Sequence, residues 1–238
     1  MNKMYKIILA SVAALTMTAG IAMAEMKFAL GVIGNAAEFT TVGNEIEGVT
    51  EGGDGEITNA THSNDVDYPS IFVEYSGGEP GGMSIAVGFE YVPGDASIGA
   101  KTRTDTDEGD DNTGEADTGD YTAKAEVSDF TTFYVEPGYM FNENFTLYGK
   151  LGVSQLTVTS LESLANGTTS STYGNATIVG GMYGVGIKAS HGSGVFVKLE
   201  ATVQEFETVS LASTTGNSNT VTADPEAESV RLALGFAF

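Results

Sequence analysis

The last nine residues constrain this chain more than any other stretch. Val230, Leu232, Leu234, Phe236 and Phe238 are apolar at every second position, with Arg231, Ala233, Gly235 and Ala237 between them. Successive side chains of an extended strand point to opposite faces, so this segment presents one greasy face and one small or charged face. The greasy face runs to the final residue, where a soluble domain usually frays.

This terminus resembles the C-terminal strand of bacterial outer-membrane β-barrels, a family whose terminal aromatic residue and alternating apolar positions are recognised by the barrel assembly machinery. The resemblance implies that Leu234, Phe236 and Phe238 act as an assembly signal. It also implies outer-membrane lipid and the assembly machinery as partners of a monomeric barrel. The other end of the chain agrees. Lys3 and Lys6 precede an apolar run from Ile7 to Ile21, and Ala22-Met23-Ala24 forms a small-residue cleavage pattern before Glu25. The expected division is a cleaved secretory signal, residues 1–24, and one barrel domain, residues 25–238, exported to the bacterial cell outer membrane.

Composition narrows the class. The chain has 32 Asp and Glu against 10 Lys and Arg, and two of the lysines lie in the leader. So acidic a chain lacks the basic patch that a nucleic-acid partner requires. Cysteine is absent, which removes disulfide frameworks, thiolate zinc sites and cysteine nucleophiles together.

Period-two segments then recur along the chain. Met26 to Gly34, Ser70 to Tyr75, Met83 to Tyr91, a strand ending at Phe141, a strand from Phe145, Thr177 to Ser190, a strand from Val195 and the C-terminal strand make eight. A bulge is expected near Gln155, where the alternation slips. Connections alternate strictly between long and short. Residues 35–67, most of 92–130, the Ser/Thr/Gly stretch after Gln155 and a last polar loop are long; Ser76–Gly82, Asn142–Asn144 and His191–Gly194 are tight turns. The expected fold is all-β: an eight-stranded antiparallel up-and-down transmembrane barrel with short periplasmic turns and long extracellular loops. Tyr75, Tyr139, Phe141, Phe145, Phe236 and Phe238 near the turns, and Phe89, Tyr91 and Phe133 nearer the long loops, form two aromatic girdles.

The ionisable residues on the polar faces separate this fold from a soluble barrel. They are Glu74, Glu90, Glu136 and Glu200 with Lys150, Lys188, Lys198 and Arg231. Four acids meeting four bases in so acidic a chain is the pattern of groups desolvated together in one lumen, where they must pair. Gly and Ala at 86, 88, 152, 184, 186, 233 and 235 leave room for them, as in the OmpA/OmpX-type small barrels this pattern resembles.

Chemistry has few candidates. His191 lies in a turn, and His62 stands near Ser63, Asp65 and Asp67 in sequence. That spacing is too local for a triad, whose members converge from separate strands. Asp105, Asp107, Asp110 and Asp111 form a weak calcium candidate in the second loop, but the full EF-hand spacing is missing. The expected role is structural or surface-interacting, with any extracellular ligand held by the acidic loops, no cofactor and no enzymatic activity. The alternatives are a narrow porin-like channel for small solutes and, behind it, an outer-membrane lipid-modifying enzyme. Deleting Phe238, or replacing it with a charged residue, is expected to lower the amount of folded, heat-modifiable protein in membranes while export continues. An equal folded yield from the truncated chain would remove the assembly-signal reading.

Overall fold

Strand after strand pairs with its neighbour in sequence until the last returns to the first. The computed structural model describes residues 26–46, 57–105, 119–164, 173–214 and 220–238. Among them are β1 (Lys27–Ile46), β2 (Ile57–Gly78), β3 (Gly82–Tyr91), β4 (Ala96–Asp105), β5 (Gly119–Asn142), β6 (Phe145–Leu164), β7 (Asn175–Ser190), β8 (Val195–Phe206), β9 (Val209–Ala212) and β10 (Thr220–Ala237). Eight of these form the antiparallel ring β1-β2-β3-β5-β6-β7-β8-β10, closed by pairing of β10 with β1 from Ala29↔Ala237 to Ile46↔Thr220. The short β4 pairs with β5, and β9 with β10. Closure leaves the lower ring without a free edge, the condition a sheet must meet where no water can satisfy its backbone.

The outer wall of the turn half is apolar. Leu30, Val32, Ile71, Val73, Leu147, Leu151, Val185, Ile187, Val197, Leu199, Val230, Leu232 and Leu234 are all exposed there. Near the tight turns stands a row of rings: Phe28 stacks on Phe238 with centroids 6.2 Å apart, Tyr139 meets Phe141 edge-on, and so does Phe236 with Phe238. The far edge of the band is marked by the first outward carboxylates: Glu38 on β1, Asp67 on β2, Glu205 on β8 and Glu228 on β10.

Beyond that edge the strands continue, and here the sequence reading requires correction. The polar stretches read as long loops contain the upper halves of β1 and β2, all of β4 and the start of β5, and β9 with the start of β10. The physical reason is an inversion of phase. Along much of this half apolar residues face inward and acids outward, although Val42, Ile46 and Ile57 stay exposed, and the inward set closes the bore: Ala37, Phe39, Val92, Val127, Phe130, Leu156, Val158, Ile178, Phe206, Val209 and Ala227 form one buried cluster. The slip expected at Gln155 is this same inversion. β6 runs straight through it, pairing with β7 without interruption, and Leu156 and Val158 simply point in. The bulge lies on the partner strand, β5, between Ser128 and Thr131. Asp129 takes a left-handed backbone there (φ 52°), so that Val127 and Phe130 both face the interior.

Inside the turn half, glycines and aromatic rings are matched across strands. Gly31 pairs with Phe72, Gly88 with Tyr134, Gly186 with Tyr148 and Gly235 with Phe196, each ring lying over the glycine opposite. A Cβ at any of these glycines would overlap the ring. Gly186→Ala and Gly235→Ala are therefore each expected to destabilise the refolded barrel by about 1–3 kcal/mol. Gly34→Ala, whose Cβ would meet nothing within 4 Å, should change stability by no more than about 0.5 kcal/mol. Urea midpoints of the three variants make the comparison.

Candidate functional site

Eight ionised side chains cross the lumen as a single alternating series: Glu90, Arg231, Glu200, Lys150, Glu136, Lys198, Glu74, Lys188. Arg231 Nη2 contacts Glu90, and its Nε stands 3.5 Å from Glu200 Oε2. Lys150 Nζ lies 3.0 Å from Glu200 and 3.1 Å from Glu136. Lys198 bridges Glu136, at 2.7 Å, and Glu74. Lys188 ends the series 3.6 Å from Glu74 Oε1. Every interior member touches two groups of opposite sign and none of its own.

Seven of the eight are at most 5 % exposed. Stripping water from a charge costs several kcal/mol, and the attraction of a partner offsets this only when the remaining donors and acceptors are also satisfied. The barrel supplies them. Ser70 donates to Glu90 Oε1 at 2.6 Å and itself accepts from the Asn35 amide at 3.2 Å. Tyr148 donates to Glu200 at 2.7 Å, and Tyr134 reaches toward Glu74 at 3.4 Å. Lys150 Nζ also lies 3.9 Å above the Tyr134 ring, where the face of the aromatic favours a cation. The rings that pack over the glycines thus border the lysines as well.

Strand pairing explains why these residues meet. Arg231 on β10 is directly opposite Glu200 on β8 and Asn35 on β1. Glu136 and Lys150 meet from the neighbouring strands β5 and β6, and the other links run across the bore between strands that are not neighbours, such as Glu90 on β3 with Arg231 on β10 and Lys198 on β8 with Glu136 on β5. The series ties opposite walls together.

Other candidates are separated by the fold. His62 falls on β2 rather than in a loop, where alternation puts it on the face opposite Ser63, Asp65 and Asp67. Ser63 is instead joined to Thr40 across the strand pair at 2.8 Å. His191 organises its own turn, its Nδ1 2.9 Å from Ser193 Oγ. Asp105 ends β4, while Asp107, Asp110 and Asp111 lie outside the described residues, as does the leader. Among the described residues no group of His, Asp and Glu is placed to hold a metal ion. Leu234, Phe236 and Phe238 lie on the outer wall, and Phe238 N donates to Phe28 O at 2.8 Å, joining the last residue to the first strand.

Two features went unread in the sequence. One is the Asn35–Ser70 support under Glu90, which no spacing could indicate. The other is the upper apolar plug, whose signal was present: Ala37 and Phe39 flank Glu38, and Leu156 and Val158 flank Thr157. An outer acidic strip accompanies it, in which Glu38 is opposite both Glu228 and Asp65, and Glu226 is opposite Glu205.

Removing one member of a buried pair leaves its partner uncompensated. Glu136→Gln and Arg231→Met are each expected to cost about 3–5 kcal/mol. Neutralising any single acid of residues 105–120 should cost less than about 0.5 kcal/mol. An unchanged urea midpoint for both lumen variants would overturn the role of the series in stability.

No family model and no curated protein matches the chain. Among solved structures it is similar to the attachment invasion locus protein Ail of Yersinia pestis, at 10% identity over 87% of this chain and 97% of that one, with a TM-score of 0.33. The outer membrane protease OmpT from Escherichia coli is 10% identical over 91% of this chain and 99% of that one, with a TM-score of 0.46. A Pseudomonas aeruginosa FadL homologue is 9% identical over 88% and 90%, with a TM-score of 0.33.

Proposed function

We propose that this chain is an integral protein of the bacterial outer membrane, a barrel with a side-chain-filled lumen whose acidic projection serves a structural or surface-interaction role. The observation that carries this reading is the coincidence of a lipid-compatible outside with a blocked inside. On β10 the outward apolar positions run from Val230 to Phe238, nine residues, and the first outward acid beyond them is Glu228. A strand that crosses a bilayer needs about 9–11 residues. Rings at the turn end and Tyr91 and Tyr183 toward the other edge fit the two interfaces.

The interior disfavours a channel. An eight-stranded barrel has a bore just wide enough for side chains to fill. Here the charge series occupies the turn half, and the cluster around Phe39, Phe130, Leu156 and Phe206 occupies the other. Catalysis is disfavoured by the separation of His62 from Ser63, Asp65 and Asp67 on opposite faces. A role in recognition is supported by the strip of Glu38, Asp65, Asp67, Glu205, Glu226 and Glu228 on the outer wall. A field of one sign favours encounter with basic partners and repels acidic ones.

The purified barrel in planar bilayers is expected to give no steady conductance, and the folded band on gels should shift on boiling. Stable ohmic steps from the wild-type protein would replace this reading with a narrow channel for small solutes. Recovery of the protein only in soluble fractions would remove the membrane assignment itself.

A further inference from the structure

We infer that the cavity at the turn end of the barrel binds a small oxyanion, a carboxylate or phosphate group, through Lys188. The cavity has a volume of about 520 Å³ and is bordered by the turns at Gly77–Pro80, Glu143–Asn144 and His191–Gly194. That volume lies within the range of small-molecule sites, enough for an organic acid or a phosphorylated compound of about monosaccharide size. It ends blindly at Glu74, Glu136, Tyr148, Lys188 and Phe196, the last members of the charge series and the rings beside them.

Lys188 is the one cation of the series with a single carboxylate partner. Its ammonium carries three N–H donors. The nearest carboxylate oxygen, Glu74 Oε1, stands 3.6 Å away, beyond hydrogen-bond reach, and a further side of the ammonium is covered by the Phe196 ring at 4.2 Å. Its side chain is 16% exposed, into this cavity, whereas those of Lys150 and Lys198 are 1% and 2% exposed. A mostly desolvated cation with donors to spare at the closed end of a cavity is a site for an anion, since charge-assisted hydrogen bonds there are the strong ones. The hydroxyl-bearing Ser76, Ser84, Thr146 and Ser190 also line the cavity and can hydrogen-bond the body of a ligand.

A cationic ligand fits less well. The Glu74 side chain is fully covered, and Glu136 is held between Lys150 and Lys198, so neither acid is presented to an incoming cation. Of the remaining charged lining residues, Lys27 and Glu143 are one of each sign.

The test uses the wild-type barrel refolded in neutral detergent and exposed to reductive methylation, with each lysine followed by mass spectrometry. Inorganic phosphate and acetate are the probes, and sodium chloride of equal ionic strength is the control. At a concentration ten times Kd, about one-eleventh of the sites remain free, so methylation of Lys188 should slow roughly tenfold relative to chloride. The anion that protects at lower concentration identifies the group as phosphate or carboxylate. Equal methylation of Lys188 in phosphate, acetate and chloride would overturn the inference. Calorimetry adds a second arm. Lys188→Gln should lose the heat of anion binding while keeping its heat-modifiable folded band, and an unchanged heat from the folded variant would also overturn the site. If that variant fails to fold, the wild-type labelling decides alone.

Discussion

A charge inside this barrel can survive only beside its opposite, and that constraint orders the lower half of the molecule. Among the described residues, the interior of the turn half contains four carboxylates and four cations, seven of them almost wholly buried, and they stand in alternating sequence from Glu90 to Lys188. An isolated member would bear the whole desolvation penalty, so the members are mutually obligatory. The series draws on β2, β3, β5, β6, β7, β8 and β10, and β1 contributes Asn35, which supports Glu90 through Ser70. Correct strand register is thereby tied to charge pairing: slipping one strand by one residue would turn its charge to the outer face and strand its partner inside.

Space for these long side chains comes from the glycines. Each of Gly31, Gly88, Gly186 and Gly235 lies opposite an inward ring, and the ring folds over it toward the lumen centre. Tyr134 and Tyr148 then border the lysines and donate to Glu74 and Glu200. Packing and electrostatics are not separable here. A methyl group at Gly186 or Gly88 would press on a tyrosine that is itself part of the charge network.

The two halves solve the problem of an interior in opposite ways. In the turn half the outside is apolar and the inside charged; in the other half the outside is acidic and the inside is an apolar plug. Within the proposed membrane setting, the first half meets lipid and the second meets water, and the change of phase along strands such as β1, β6 and β10 marks the boundary. The like-charged pairs on the outer strip, such as Glu38 opposite Glu228, cost stability. The buried cluster behind them offsets that cost.

The eight strands of the ring, their order and which residues face inward in the turn half were legible in the sequence, because a side-chain period of two is a local property of an extended chain. The eight charges were legible too, as a set, because their balance contrasts with the acidity of the rest. Other features were not local. The strands were read too short, since beyond Glu38 or Gln155 the apolar residues switch face and an outward-apolar template no longer detects them. The bulge was placed near Gln155 when it belongs to Asp129 on the neighbouring strand, because a phase shift in one sequence does not say which of two paired strands carries the extra residue. Which acid meets which base, the support of Glu90 by Ser70, and the exposure of Lys188 alone at the blind end of a cavity were decided only when closure brought distant strands across one bore. Alternation along a strand is written in adjacent residues, whereas contact across a barrel depends on register and curvature, which every strand determines together.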